Sequence, residues 1–223
     1  MIRPPFPRAI AAVIFDMDGT LLDTESVYVR TFIETAGVMG HPISHDFLHT
    51  LIGLPGGEFQ TNLRAKLGED FPYAEHRRRY LIRRNEILAD GVPIKPGALE
   101  LLDHLQAIGT PIAIATAATR ENAEEHLRRS GLRPRFGVVL TRDDVAHSKP
   151  KPDLFLAAAA GIGAAPAACI AIEDSHNGVR AAHAAGMMTV MVPDILAATD
   201  EITGLCVAVL DSLHDLRRLL NPP

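Results

Sequence analysis

Positive charge, cysteine, lysine and long apolar runs are all scarce in this sequence. Of its 223 residues, 22 are lysine or arginine and 27 aspartate or glutamate, a formal net charge of −5 with histidine neutral. With a pI near 6.0, the chain lacks the strong positive excess of a dedicated nucleic-acid binder. Two cysteines, Cys169 and Cys206, are too few for a disulfide scaffold, and Cys169 lies in a strand-like run beside Ile170 and Ile172. A reducing cytoplasm is the expected setting. The apolar run near the start, Ala9–Phe15, ends at Asp16 after seven residues, whereas a membrane-spanning helix needs about 20. The same run resembles the core of an export signal, but Asp16 and Asp18 stand where a small-residue cleavage site belongs, so export is not expected. Neither nucleic acid nor a membrane is an expected partner. Only 4 lysines stand against 18 arginines, which makes the position of each lysine informative.

What is present is ordinary for a folded chain: 47% apolar and 22% charged residues, which excludes disordered and fibrous classes. Short apolar runs at Ala9–Phe15, Pro111–Thr116, Gly137–Leu140, Cys169–Ile172, Thr189–Val192 and Cys206–Leu210 read as buried strands of a parallel sheet. Helical patterns lie between them at Arg120–Ser130, Pro152–Ala160 and Asn177–Ala185, followed by Gly131, Gly161 and Gly186. Glycine accepts the left-handed conformation that ends a helix. Such alternation predicts right-handed βαβ units in a doubly wound α/β fold. Alanine enrichment over 157–168 reads as close-packed helix and loop. From Leu22 to about Pro93 no strand is convincing; amphipathic patterns are separated by 37–40 and by Leu54-Pro-Gly-Gly57. That length is too great for a simple crossover. The expected organisation is therefore a core of residues 1–21 and 95–223 carrying an inserted helical cap, 22–94, with Gly91–Gly97 as a hinge.

Ligands in open α/β sheets bind outside the carboxyl ends of the strands. Asp16 and Asp18 follow the first strand, Thr116 ends the second, Lys149 opens Lys-Pro-Lys-Pro-Asp153, and Glu173 and Asp174 end the Cys169 strand. Taken singly, each motif has a plain structural reading. Asp-x-Asp can be a turn, Glu-Asp-Ser a helix cap, and Lys-Pro-Lys-Pro an exposed turn before a helix. Their order, and their common place at strand ends, favour a site. Four clustered carboxylates repel one another unless a cation intervenes, and a hard divalent ion, Mg²⁺, fits an all-oxygen donor set.

Asp16-Met-Asp-Gly-Thr-Leu-Leu-Asp-Thr24, Thr116, Lys149-Pro-Lys-Pro-Asp153 and Glu173-Asp-Ser-His-Asn-Gly178 resemble the four signature motifs of the haloacid dehalogenase-like hydrolase superfamily. The cap after the first motif resembles the subgroup that holds phosphoglycolate and sugar-phosphate phosphatases, β-phosphoglucomutases and phosphonatases. The resemblance implies a Rossmann-like core and an aspartyl-phosphate mechanism. Asp16 would be the nucleophile, and Asp18 general acid and then general base. Gly19, Thr116, the Ala117 N–H and Lys149 would bind the phosphoryl group. Mg²⁺ would be held by the Asp16 carboxylate, the Asp18 carbonyl and Asp174, with Glu173 orienting a bound water. Lys151 could in principle replace Lys149, but the family pattern assigns the role to the first lysine. Ala117-Ala118 departs from relatives that often carry a small hydroxyl residue there, a change that backbone contacts tolerate.

The same resemblance separates the branches. Dehalogenases lack an aspartate at position 18. Phosphonatases carry a Schiff-base lysine near Leu54–Gly57, whereas the only cap lysine here is Lys66. β-Phosphoglucomutases carry a histidine where this chain has Tyr28, which favours a phosphatase over a mutase. A non-catalytic module that binds a phosphorylated ligand would have no need of Asp18. The expected substrate is a small phosphorylated metabolite, and the expected state a monomer or weak dimer. Glu25 and Tyr28 on the first cap helix, and Arg78 in the run Arg77, Arg78, Arg79, Arg83 and Arg84, are the expected substrate-selecting residues, against a plain reading of that run as a solvated face. His41, His45 and His49 are spaced by four, but Pro42 and a capping Ser44 place His41 outside the helix, which argues against a structural zinc. His147 reads as a loop residue, and His176 and His183 as ordinary helix positions.

Overall fold

The computed structural model describes residues 6–52, 54 and 56–220. In chain order its elements are β1 (Ala12–Phe15), α1 (Thr24–Val38), α2 (His45–Leu51), α3 (Gly56–Leu67), α4 (Tyr73–Ala89), α5 (Ala98–Ala107), β2 (Ile112–Ala115), α6 (Arg120–Arg129) and β3 (Val138–Leu140). There follow α7 (Asp153–Gly161), β4 (Cys169–Glu173), α8 (His176–Ala184), β5 (Met188–Met191), α9 (Asp200–Leu205), β6 (Ala208–Val209) and α10 (Leu213–Leu220). Two compact units result: Met1–Asp23 with Val92–Pro223, and Thr24–Gly91.

The first unit is the doubly wound α/β fold that the alternating pattern predicts. Its six strands are all parallel, in the order β3-β2-β1-β4-β5-β6. Every residue of β1, β4 and β5 is buried, as expected of strands covered on both faces. Alanines make the helix-to-sheet contact close: Ala158 and Ala159 of α7 and Ala181 and Ala182 of α8 join Ala12, Ala113 and Ala171 of the sheet in one fully buried cluster. β1 starts three residues later than the apolar run, because its partners Ile112 and Cys169 begin opposite Val13 and Ala12. β6 shrinks to Ala208–Val209 at the sheet edge.

Gly131 and Gly186 take positive φ just past α6 and α8, but Gly161 does not stop α7. It is the last helical residue, and the left-handed turn falls at Gly163. A Cβ on Gly161 would lie 2.8 Å from Val138 Cγ1, so packing against β3 accounts for the glycine there.

The two crossings between units are stitched together on the core side. Leu22 and Ile94 form an antiparallel bridge; Asp23 N donates to Pro93 O at 2.8 Å and Lys95 N to Leu21 O at 2.9 Å. Lys95 Nζ also donates to Asp194 Oδ1 at 2.6 Å.

The second unit contains only helices among its described residues. Ser44 caps α2, accepting from Phe47 N at 3.2 Å, and His41 stands outside that helix. Of the separator read at 54–57, Pro55 lies outside the described residues, and Gly56 and Gly57 open α3. A further break between α3 and α4 follows Gly68, whose φ is 101°. Among the described residues, no helix is long and apolar enough to cross a membrane.

Candidate active site

Sheet register alone places the acidic residues side by side. Phe15 pairs with Ile172, so Asp16 and Glu173 emerge at the same level, and Asp16 N donates to Ile172 O at 2.9 Å. On the other side Phe15 pairs with Ile114, bringing Thr116 one step beyond the end of β2. The strand order reverses at β1, with β2 on one flank and β4 on the other. A crevice at such a switch point is where doubly wound sheets bind ligands.

Lys149 joins two of these acids. Its Nζ donates to Glu173 Oε1 at 2.5 Å and also to Asp16 Oδ1, with its side chain 5% exposed. Lys151, by contrast, is exposed. Asp174 lies beside them and accepts from Thr20 Oγ1 at 3.1 Å. Carboxylate oxygens of Asp16, Glu173 and Asp174 all fall within 4.8 Å of one another. Glu173 Oε2 is held further by Ser175, whose Oγ donates at 3.0 Å and whose N donates at 3.3 Å.

Two glycines give the acids room. Gly19 has φ of 84°, and a Cβ there would stand 2.3 Å from Asp174 Oδ2. At Gly178, on the first turn of α8, a Cβ would stand 1.8 Å from Glu173 Cδ. Neither position accepts a side chain without moving a carboxylate.

Burial pushes the Asp16 carboxyl well above the ordinary carboxylate range; Lys149 opposes that shift, while Glu173 and Asp18 add to it. Burial raises Asp174 as well, with Asp16 and Glu173 contributing, and Lys149 and Thr20 working against them. Burial alone would lower Lys149, but Asp16 and Glu173 outweigh it and hold the ammonium above its ordinary value. Fully ionised, the three clustered acids exceed the one lysine by two negative charges. An all-oxygen donor set with that excess fits a hard divalent cation such as Mg²⁺.

Of the other residues singled out in the sequence, Thr116 is buried and its Oγ1 accepts from Ala118 N at 3.0 Å, while Ala117 is exposed in the loop. The Asp18 carboxylate is not part of the three-acid group; its Oδ1 lies 3.3 Å from His126 Nδ1. The sequence carries no sign of a role for His126 and suggests no part in the acid cluster for Thr20, Ser175 or Gly178, although Glu-Asp-Ser reads there as a helix cap and Ser175 does cap α8, accepting from Gly178 N at 3.1 Å. Those three adjoin or sit within the motifs, which is the signal that could have found them. His126 lies 108 positions from Asp18 and carried no local signal.

Glu25, Tyr28 and Arg78 belong to the helical unit. Glu25 and Tyr28 line a pocket of about 280 Å³ within it, together with Phe32, Phe59, Tyr80 and Arg77. Arg78 does not line that pocket; it makes a two-pronged pair with Glu75, both contacts at 2.8 Å, and is exposed. Arg84 lies over the Tyr28 and Tyr80 rings. His147 lies 3.2 Å from Asp153, and His176 and His183 face the carbonyls of Ala197 and Leu205.

A sequence profile of the haloacid dehalogenase-like hydrolase family matches residues 10–186. The chain is 37% identical over 224 residues to Protein CbbY of Rhodobacter capsulatus, covering 93% of this chain and 99% of that one. It is 31% identical over 221 residues to hexitol phosphatase B of Escherichia coli strain K12, covering 94% and 96%. Among solved structures, CbbY from Rhodobacter sphaeroides in complex with phosphate superposes with a TM-score of 0.70 at 30% identity, covering 93% and 96%.

Proposed function

Because the chain belongs to the haloacid dehalogenase-like hydrolase family, we propose that it is a phosphatase that hydrolyses a small phosphorylated metabolite of the sugar-phosphate kind through an aspartyl-phosphate at Asp16. The observation that carries this reading is the buried Lys149 bridging Asp16 and Glu173 at the switch point of the sheet, with Asp174 alongside. A purely structural ion pair would balance its charges. This cluster holds an excess of carboxylate, which suits a site that binds a cation and an anionic ester together.

In the first step an Asp16 carboxylate oxygen attacks phosphorus. The P–O bond to the leaving alcohol breaks, and Asp18 gives its proton to the departing oxygen. In the second, Asp18 takes a proton from water as that water attacks phosphorus, releasing inorganic phosphate and restoring Asp16. Asp16 must be ionised to attack, and the Lys149 ammonium favours that form against the effect of burial. Glu173, fixed by Ser175, holds Lys149 in place. Thr116 and the Ala117 N–H, at the loop leading into α6, would hydrogen-bond the phosphoryl oxygens, and Gly19 would keep the approach clear of a side chain. A divalent cation held by Asp16, Asp174 and the Asp18 carbonyl would offset the charge of the carboxylates and phosphoryl oxygens together. We further assign to Thr24–Gly91 the role of a cap that selects the substrate, with Glu25, Tyr28 and an arginine of α4 as the selecting groups.

Trapping tests the covalent step. Enzyme quenched during turnover of a hexose phosphate and reduced with borohydride converts an acyl phosphate to homoserine. Homoserine at position 16, located by peptide mass spectrometry, is the expected result. Its absence at 16 during active turnover, or its appearance at another acid, would overturn the assignment.

A further inference from the structure

Helix α6 has one buried position that an apolar residue would fill more simply. Its sequence, Arg-Glu-Asn-Ala-Glu-Glu-His-Leu-Arg-Arg, buries Ala123, His126 and Leu127 and leaves the charged positions outward. An imidazole on the buried face of such a helix costs desolvation unless a partner answers it. The answering group is Asp18: His126 Nδ1 lies 3.3 Å from Asp18 Oδ1, with the two side chains 10% and 23% exposed. With its hydrogen on Nδ1, the ring donates to that carboxylate.

The helix that carries His126 is firmly anchored. Thr119 caps it, accepting from Asn122 N at 3.2 Å. Arg120 ties its first turn to the end of β3, donating from N to Asp143 at 2.7 Å and from Nη1 to Val139 O at 3.1 Å, and pairing with Asp144. Asp144 is in turn fixed by Thr141, through its N and its Oγ1, both at 2.7 Å. The start of this helix follows directly on Thr116-Ala117-Ala118, so one rigid piece presents both the phosphate loop and the imidazole.

We propose that His126 is a positioning residue for Asp18. Its hydrogen bond sets the Asp18 carboxylate apart from Asp16, Glu173 and Asp174, where a fourth acid would add repulsion, and aims it for proton transfer to the leaving oxygen. This inference rests on the reading of Asp18 as proton donor given above.

The test compares two classes of ester. An alkyl phosphate such as a hexose phosphate needs a proton on its leaving oxygen, whereas an aryl phosphate such as p-nitrophenyl phosphate loses a stabilised phenolate without one. Single-turnover release of the alcohol or phenol, measured by rapid quench, isolates the first step. His126→Leu, which suits the apolar face of α6, is expected to slow the alkyl ester about 10- to 100-fold, less than the roughly 10²- to 10⁴-fold of acid–base catalysis as a whole because Asp18 itself remains, and to change the aryl ester less than about threefold, within the range of small packing effects. His126→Asn keeps an amide N–H near the Nδ1 position and is expected to restore most of the alkyl rate. His126→Gln places its amide nearer Nε2 and is not.

Equal slowing of both esters by His126→Leu, or equal rates for the Asn and Gln variants on the alkyl ester, would overturn the proposal in favour of a packing role. Should the Leu variant fail to fold, the Asn and Gln pair decides. Asp18→Asn serves as the reference. If it slows the alkyl ester selectively while the His126 variants do not, only the positioning role falls. If it leaves both esters at wild-type rates, the proton-donor reading falls and this inference with it.

Discussion

Lys149→Met probes the charge balance of the site without the bulk change of a truncation. Methionine keeps the unbranched apolar stem of lysine and removes the ammonium that joins Asp16 to Glu173. The Lys149, Asp16 and Glu173 side chains are 5%, 9% and 0% exposed, so neither acid gains water when its partner goes. Removing one member of a buried pair costs about 3–5 kcal/mol, because the survivor remains buried and uncompensated. In a chain of this size about 1 kcal/mol corresponds to about 2–4 °C in Tm, so a fall of about 6–20 °C is expected in EDTA at pH 8. The loss should shrink toward pH 5. Without the lysine that opposes it, burial pushes the Asp16 carboxyl further above the ordinary carboxylate range, and the folded chain binds a proton there at pH values where the unfolded chain has released it. Folded stability then falls as pH rises through that window. Thermal melts of wild type and variant in EDTA, at pH 5 and pH 8, read both effects. A variant that melts within about 2 °C of wild type at both pH values, less than 1 kcal/mol, would refute the view of Lys149 as the charge linking two buried acids.

Other outcomes follow from the same geometry. Gly178→Ala should force Glu173 away from Lys149, since the new Cβ would stand 1.8 Å from Glu173 Cδ, with the destabilisation of about 1–3 kcal/mol usual for overpacking and loss of phosphate release. Gly204→Ala, in α9 with nothing within 4 Å of its Cβ, should instead stabilise by about 0.5–1 kcal/mol; chemical denaturation of the two variants checks the contrast. Burial holds the Asp16 and Asp174 carboxyls well above their ordinary range, so metal-free stability should decline as pH rises from the ordinary carboxylate range up through the raised folded-state values. Mg²⁺, which needs the ionised forms, should therefore raise Tm more at pH 8 than at pH 5, and equal shifts by calorimetry would contradict this. In the cap, Arg77→Ala should change the ranking of substrates by kcat/KM and Arg78→Ala should not, because Arg77 lines the pocket and Arg78 is engaged by Glu75.

How much of this was legible in the sequence follows from where the determining contacts lie. The strands of the sheet were, because burial on both faces writes them as continuous apolar runs. Their ends were less so: Ala9-Ile10-Ala11 is as apolar as β1 but precedes its partners in the ladder. The strand-and-helix alternation read from the sequence does not include α5, α9 or α10, although α10 carries a clear apolar stripe, Leu213, Leu216 and Leu220. The gathering of Asp16, Lys149, Glu173 and Asp174 could be read because each ends or follows a strand of one parallel sheet, which fixes the end at which they emerge. The pairing of His126 with Asp18 could not, since a buried polar position on α6 shows only when its partner is in place. Which arginine of α4 lines the cap pocket turns on helix phase. One residue is a rotation of about 100°, finer than a charge run resolves, so Arg77 and Arg78 were indistinguishable until the helix was placed.

Metal-dependent hydrolysis of a phosphate ester at Asp16 can be measured as product. Inorganic phosphate released from a panel of phosphoglycolate, hexose phosphates and nucleotides should be followed with Mg²⁺ and with EDTA, for the wild-type chain and for Asp16→Asn. Release from at least one small sugar-like ester is expected with Mg²⁺, none with EDTA, and none from Asp16→Asn under either condition. Undiminished release in EDTA or from Asp16→Asn would contradict this expectation. So would conversion of β-glucose 1-phosphate to its 6-isomer with no ester hydrolysed, which would make the enzyme a mutase.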